Sequence, residues 1–399
     1  MIALKTVVVG MIGSGFASRL HCEAYRCVYG ADVRLKTVAS IAPDLQDFAK
    51  EFGFEYACAD YKKMLDDPEI DVVDIITPPA LHRRCILDVA AAGKHIICEK
   101  PLTGYFGQES DEKPVGLHVS REKMKRAVMA ELKEIRQAVE DSGKLFMYAE
   151  NWVYAPSVQK AAEFIRSTKQ KNFFLKAEES HSGSHAAHAA HWGENGGGSL
   201  IRQGSHPIST VLYLKKVEAD ARGEDVYVTD ITAETAVMAS HFSNQDTRHI
   251  DSRPVDVEDW ASATIAFSDG SKAVVISGDM VLGGAVNYVE VFGSEGVLQC
   301  RISPNNAMET YFVDETRLGG IYITEKVQNK SGWQKIFLNE HINRGYTGEL
   351  QDFVECVVTG RKPVSDLDLA ESTMEVIYGA YLSATEGKRV SLRRGGKYD

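Results

Sequence analysis

The chain lacks the features that mark a membrane or nucleic-acid protein. No apolar run approaches the roughly 20 residues that a bilayer span needs, and no basic run or basic helix is present. The net charge is −11, which argues against nucleic acid or an anionic membrane surface as a partner. There is no Cys-x-x-Cys pair: the seven cysteines are odd in number and scattered, as expected of reduced thiols in a cytoplasmic protein. Internal repeats and low-complexity linkers are also missing. The first residues run straight into an apolar strand, leaving no room for a secretory signal peptide.

What is present is a chain of 399 residues, enough for two domains of ordinary size. Its 44% hydrophobic and 25% charged content suits a globular protein that buries a sizeable core. The most informative stretch is VVVGMIGSGFASRLH, residues 7–21. Val7, Val8 and Val9 are β-branched and suit a buried parallel strand. Gly13-Ser14-Gly15 follows as a tight turn, and Phe16 opens a helix. Strand, glycine turn and helix N-terminus together form a pyrophosphate site, because the backbone can approach the phosphates and helix N–H groups face their charge. Ser18 stands where the usual fingerprint has a third small residue.

Strands are expected over 33–41, 70–77, 95–98 and 145–149, alternating with helices over 43–52, 61–65, 81–92 and 121–142. That alternation implies right-handed βαβ units in a doubly wound parallel Rossmann sheet. Residues 104–118 read as a polar loop that interrupts the pattern. The second half changes character. Helices are expected over 156–168, 206–215, 348–358 and 369–386, with a strand over 173–179. Antiparallel strands lie between 226 and 312, turning at Asp269-Gly270 and Ser294-Glu295-Gly296. The expectation is an α/β protein: residues 1–148 bind a dinucleotide, and 149–399 form an α+β domain with a largely antiparallel open sheet. The last helices would pack back on the first domain.

Several stretches together resemble the Gfo/Idh/MocA oxidoreductases. They are the glycine turn with His21 beyond it, VVDIITPPALH at 72–82, Ala92-Gly93-Lys94-His95 running into Cys98-Glu99-Lys100-Pro101-Leu102, Gly196-Gly197-Gly198, Gly204-Ser205-His206, and SATEGKRVSL near the end. The resemblance covers nearly the whole chain. It implies hydride transfer between a nicotinamide and a hydroxyl-bearing carbon of a sugar, cyclitol or sugar acid. Lys100 and His206 would be the acid–base pair, an imidazole of pKa about 6.5 being suited to proton transfer at neutral pH. Pro101 would constrain the peptide that aims Lys100.

The resemblance also implies cofactor contacts by Gly13, Ser14, Gly15, Phe16, Ser40, Thr77, Pro78, His82, Glu99, Lys100 and Asn151. The end of the second strand carries Ser40 where NAD enzymes usually place an acid. No arginine follows closely to favour a 2′-phosphate. NAD is therefore expected, with NADP left open. Arg202 stands where many relatives carry an aspartate, four residues before His206. On one helical face with His206 it would clamp an anionic substrate group. Trp152, Tyr154, His181 and His185 complete the expected substrate contacts, and Tyr148 flanks them. The run His181, His185, His188, His191 has helical spacing, but no metal is expected.

Two other functions remain in view. One is redox-neutral chemistry on a tightly held NAD, which oxidises a sugar transiently to isomerise it or cleave a glycoside. The other is a non-catalytic dinucleotide sensor, against which an intact Lys100 and His206 speak. A homodimer or homotetramer joined through the second-domain sheet is expected.

Overall fold

A computed structural model describes residues 5–184, 186–303, 308–316, 329–335 and 340–392. The N-terminal half is built on six parallel strands: β1 (Thr6–Ile12), β2 (Asp32–Ala39), β3 (Tyr56–Cys58), β4 (Val72–Ile75), β5 (His95–Glu99) and β6 (Phe146–Ala149). Their order is β3-β2-β1-β4-β5-β6, so the direction of winding reverses between β1 and β4. The crevice at such a reversal, outside the carboxyl ends of the strands, is where ligands bind in open α/β sheets. Val7 to Ile12 are all buried, as a strand covered by helices on both faces requires. β3 is an addition to the expected elements. It adds a short edge to β2 through Thr37, Val38 and Ala39.

The connecting helices carry clear start and stop signals. The Ser120 hydroxyl accepts from Lys123 N at the start of the helix Arg121–Ser142, and Gly143 closes it with a left-handed φ of 63°. The expected loop at 104–118 includes a short helical turn, Val115–His118. It is fastened to the second half: Gly116 N donates to Asp256 Oδ2 at 2.8 Å.

The second half is built on β7 (Asn172–Ser180), β8 (Val228–Ala236), β9 (Trp260–Phe267), β10 (Lys272–Gly278), β11 (Val286–Gly293) and β12 (Val297–Ser303). A small hairpin, β13 (Glu309–Phe312) with β14 (Gly332–Lys335), stands apart, and β15 (Val390–Ser391) returns to the main sheet. The seven-stranded order is β12-β11-β7-β10-β9-β8-β15. All its pairings are antiparallel except β7 with β10. The inner face packs on the helix Ser205–Arg222. That helix runs seven residues past its expected end at 215, because Lys215 and Glu218 are buried as a pair, 2.6 Å apart, instead of facing water. Lys215 also reaches Asp269 Oδ2 at 2.9 Å, pinning the β9–β10 turn.

The last two long helices return to the first half. Tyr346–Thr359 packs on Phe16–Tyr25, and Leu367–Glu386 packs on Arg121–Ser142 and β8. Arg136 joins the second contact by a forked bond to Glu371, at 2.9 and 2.6 Å, and a further bond to Asp368 at 2.6 Å. Among the described residues no helix is long and apolar enough to cross a membrane.

Candidate active site

The two glycines of the first turn do different work. Gly13 has φ 116°, and a Cβ there would lie 2.1 Å from the carbonyl oxygen of Ile76. The fold itself therefore demands glycine. Gly15 has an ordinary φ of −80°, and a Cβ there would meet nothing within 4 Å. What a side chain at Gly15 would fill is open space before the helix Phe16–Tyr25. The first N–H groups of that helix have no intrahelical partner, and no side chain caps it. That is the fit a dinucleotide pyrophosphate needs. Ser14 Oγ donates to Ser40 Oγ at 2.9 Å, and Ser40 Oγ accepts from Ala42 N at 3.1 Å. Thr77 and the exposed Pro78 lie across the turn, at the end of β4.

His82 departs from its expected cofactor contact. Its ring is fully buried, with Nδ1 2.8 Å from Pro101 O and Nε2 2.9 Å from Thr77 O. It braces the β4 and β5 exits against each other and has no surface to offer a ligand. Burial lowers its pKa.

Glu99 closes the carboxyl end of β5. Its Oε2 accepts from Lys100 N at 2.8 Å, and its Oε1 lies 3.3 Å from His21 Nε2. Burial alone would raise this carboxyl, but the hydrogen bond and charge of His21 outweigh it and hold the pKa below the usual value. His21 is held on its other side by Asp74, 2.9 Å from Nδ1, and Tyr25 donates to the same Asp74 oxygen at 3.0 Å. Burial opposes charge on the ring, yet Asp74 and Glu99 raise its pKa well above the ordinary value.

Glu349 enters this cluster from the helix Tyr346–Thr359, 3.8 Å from His21 Nε2. It is fully buried and neither carboxyl oxygen makes a hydrogen bond. Burial raises its pKa well above the ordinary value. The native state therefore binds this proton more tightly than the unfolded chain. The stability so gained is present at low pH and is lost as pH rises from the ordinary carboxylate value through the raised native one. Glu349→Gln should thus melt higher than the native protein at about pH 8 and nearly with it at about pH 5, since only the charged form is relieved. Thermal melts at the two pH values check this; a variant that melts lower at the higher pH would contradict it.

Lys100 follows Glu99 and is joined to Pro101 by a cis peptide bond. Its Nζ donates to the carbonyl oxygen of Arg202 at 2.8 Å, which ties the first half's lysine to the segment that leads into His206. His206 is the second residue of the helix Ser205–Arg222. Its Nδ1 lies 2.5 Å from Glu150 Oε1, and Trp152 stacks on its ring at 5.5 Å and 11°. Its Nε2 is 3.9 Å from Glu179 Oε2. Glu179 sits on the inner face of β7, whereas its neighbour Glu178 faces outward and accepts from Tyr288 at 3.1 Å. Burial raises the Glu179 carboxyl, against the lowering effect of His206 and Lys100.

Four expected substrate contacts are redistributed. Arg202 is not one helical turn from His206, because its short helix, Ser199–Arg202, ends before Gln203 and Gly204. Its guanidinium pairs with the buried Asp279, so its charge is met inside the protein instead of by a substrate anion. Tyr154 is buried: its hydroxyl donates to Asp352 Oδ2 at 2.8 Å and accepts from Ser365 N at 2.9 Å. Trp152 is also buried and supports the ring of His206 from behind. His181 stands in the same cluster as Arg202, with Nε2 3.1 Å from Gln203 Nε2 and Nδ1 3.9 Å from Asp279. His185 lies outside the described residues. Asn151, expected at the cofactor, donates to Arg344 O at 2.8 Å. Among the described residues no three His, Cys, Asp or Glu side chains are grouped to hold a metal ion. Glu150 and Asp279 went unread in the sequence; an acid directly after a strand, as Glu150 is after β6, was the available signal.

A parallel sheet with a glycine turn at its switch point, a lysine at the end of β5 and a histidine from the second half define an NAD-binding oxidoreductase of the Rossmann type. Residues 7–110 match the family model described as an oxidoreductase family with an NAD-binding Rossmann fold, and 173–299 match the GFO/IDH/MocA C-terminal domain. The chain belongs to the Gfo/Idh/MocA family. Levoglucosan dehydrogenase of Pseudarthrobacter phenanthrenivorans is 26% identical over 341 residues, 78% of each chain. Myo-inositol 2-dehydrogenase of Thermotoga maritima is 22% identical over 391 residues, 96% of this chain and 98% of that one. Among solved structures, GenD2 from gentamicin A biosynthesis in complex with NAD superposes with a TM-score of 0.77 at 23% identity, covering 98% of this chain and 97% of that one.

Proposed function

We propose that this chain transfers a hydride between NAD and a hydroxyl-bearing carbon of a sugar, cyclitol or sugar acid, with residues 1–148 holding the cofactor and 149–399 the substrate. The observation that supports this reading is the bond from Lys100 Nζ to the Arg202 carbonyl, which ties the lysine at the carboxyl end of the first sheet to the segment that leads into His206. The bound nicotinamide supplies the hydride acceptor. Lys100 then exchanges the Arg202 carbonyl for the substrate hydroxyl and holds its oxygen by a charge-assisted bond. His206 takes the hydroxyl proton on Nε2. Glu150, on Nδ1, keeps the ring oriented and balances the imidazolium that forms. Glu99, held anionic by His21, faces the nicotinamide ribose.

The names of the relatives support a polyhydroxylated substrate, since they include dehydrogenases of levoglucosan, inositol and apiose. Supplying the purified protein with NAD and a panel of cyclitols, sugar acids and glycosides should give NADH with at least one of them. Product formation without free NADH would favour the redox-neutral cycle, and binding without chemistry would favour the sensor. The outer face of the second sheet carries half-buried Phe174, Val274, Ile276 and Phe292, a row suited to pairing with a second copy of the chain. The free cysteines accord with a cytoplasmic setting.

A further inference from the structure

His206 is enclosed on two sides. Its Nδ1 is taken by Glu150, which is fully buried, and Trp152 covers one ring face. A proton accepted on Nε2 has no exit through Glu150, whose side chain has no exposed surface. Among the described residues, the only other carboxyl within 4 Å of His206 is Glu179, at 3.9 Å from Nε2. Glu179 Oε2 makes no hydrogen bond in the protein, so a lone pair is free to accept. Oε2 itself is buried, but the side chain as a whole keeps 14% of its surface exposed, against 8% for His206 and none for Glu150.

We propose that Glu179 carries the substrate proton between His206 and solvent; this rests on the reading of the site given above. The alcohol O–H bond breaks and its proton joins His206 Nε2, while the C–H electron pair leaves as hydride to the oxidised nicotinamide of the family reaction. The Nε2–H bond then breaks and an O–H bond forms on Glu179 Oε2. The carboxyl releases that proton to water, and both side chains return to their starting states. The groups that face Glu179 are Glu150 from the first half's exit, His206 from the long helix, Lys100 just past β5, and Arg344 from the C-terminal segment. Ser277 and Asn287 lie beside it on β10 and β11. Burial raises its proton affinity above that of an ordinary carboxylate.

The test is stopped-flow turnover with NAD and the alcohol found by the panel, reading NADH by absorbance and proton release by an indicator dye in weak buffer. In the native enzyme the two signals should rise together. In Glu179→Gln the NADH burst should persist while proton release lags it by at least about tenfold. In Glu179→Ala, added acetate should restore the release rate. Calorimetry with NAD on both variants should give native affinity and shows that they are folded. Proton release that keeps pace with NADH in Glu179→Gln overturns this inference alone. Loss of the burst in a variant that still binds NAD and substrate also overturns it, since the carboxyl would then act before the relay. No burst from the native enzyme with any alcohol overturns the reading of the site and this inference with it.

Discussion

Lys100→Ala is expected to lose about 10²–10⁴-fold in kcat while NAD affinity stays within about threefold of native. The loss corresponds to about 3–5 kcal/mol of transition-state stabilisation. It follows from where the side chain ends: Nζ reaches across to the Arg202 carbonyl and not to the glycine turn. On the proposed function the ammonium serves the substrate oxygen, and removing it spares the phosphate cradle. Lys100→Arg is the sharper variant. It keeps a cation, but its wider fork does not fit a site made for a point charge. It should remain at least about 10²-fold slow. Steady-state rates with NAD calorimetry on each variant check both parts. Normal turnover by either variant would remove Lys100 from the chemistry.

Gly15→Leu is expected to weaken NAD by at least about 100-fold, or about 2.8 kcal/mol, without lowering the melting temperature. The backbone there is ordinary and an added Cβ meets no protein atom within 4 Å, so folding should not register the change. The space it occupies is the space in front of the helix N-terminus. Gly13→Ala should behave oppositely. Its left-handed φ and the Ile76 carbonyl 2.1 Å away make any side chain a strain on the fold, and melting temperature should fall together with binding. Calorimetry and thermal melts on the two variants distinguish ligand space from fold space. Equal loss of stability in both, or undiminished NAD binding by Gly15→Leu, would contradict the assignment of the turn.

The glycine turn and the strands around it were legible because their determinants are local. β-branched runs, a turn residue and a cap each leave a mark in consecutive positions. β3 left none, since three residues paired on an edge need no pattern of their own. The helix at His206 was read short because Lys215 and Glu218 look solvated in sequence, and only the fold brings Asp269 to them.

The site was legible in its types and less so in its directions. Glu99 ends a strand and Lys100 follows it, so where their backbone goes is fixed by the sheet. Arg202, Trp152, Tyr154 and His82 point where partners distant in sequence take them: Asp279, His206, Asp352 with Ser365, and Pro101. The neighbouring acids Glu178 and Glu179 show the converse. Alternation along β7 sends one outward and one into the pocket, but the sequence does not say which until the register with β10 and β11 is known.

The central claim is that a carbon-bound hydrogen of a carbohydrate passes to the nicotinamide at this site. The most direct measurement uses the alcohol found by the panel, deuterated at the carbon that bears the reacting hydroxyl, with unlabelled NAD, and weighs the nicotinamide by mass spectrometry after a single turnover. The account predicts one deuterium on the reduced cofactor in the native enzyme and none in Lys100→Ala over the same time. Deuterium found in water, with the cofactor unlabelled, would contradict it.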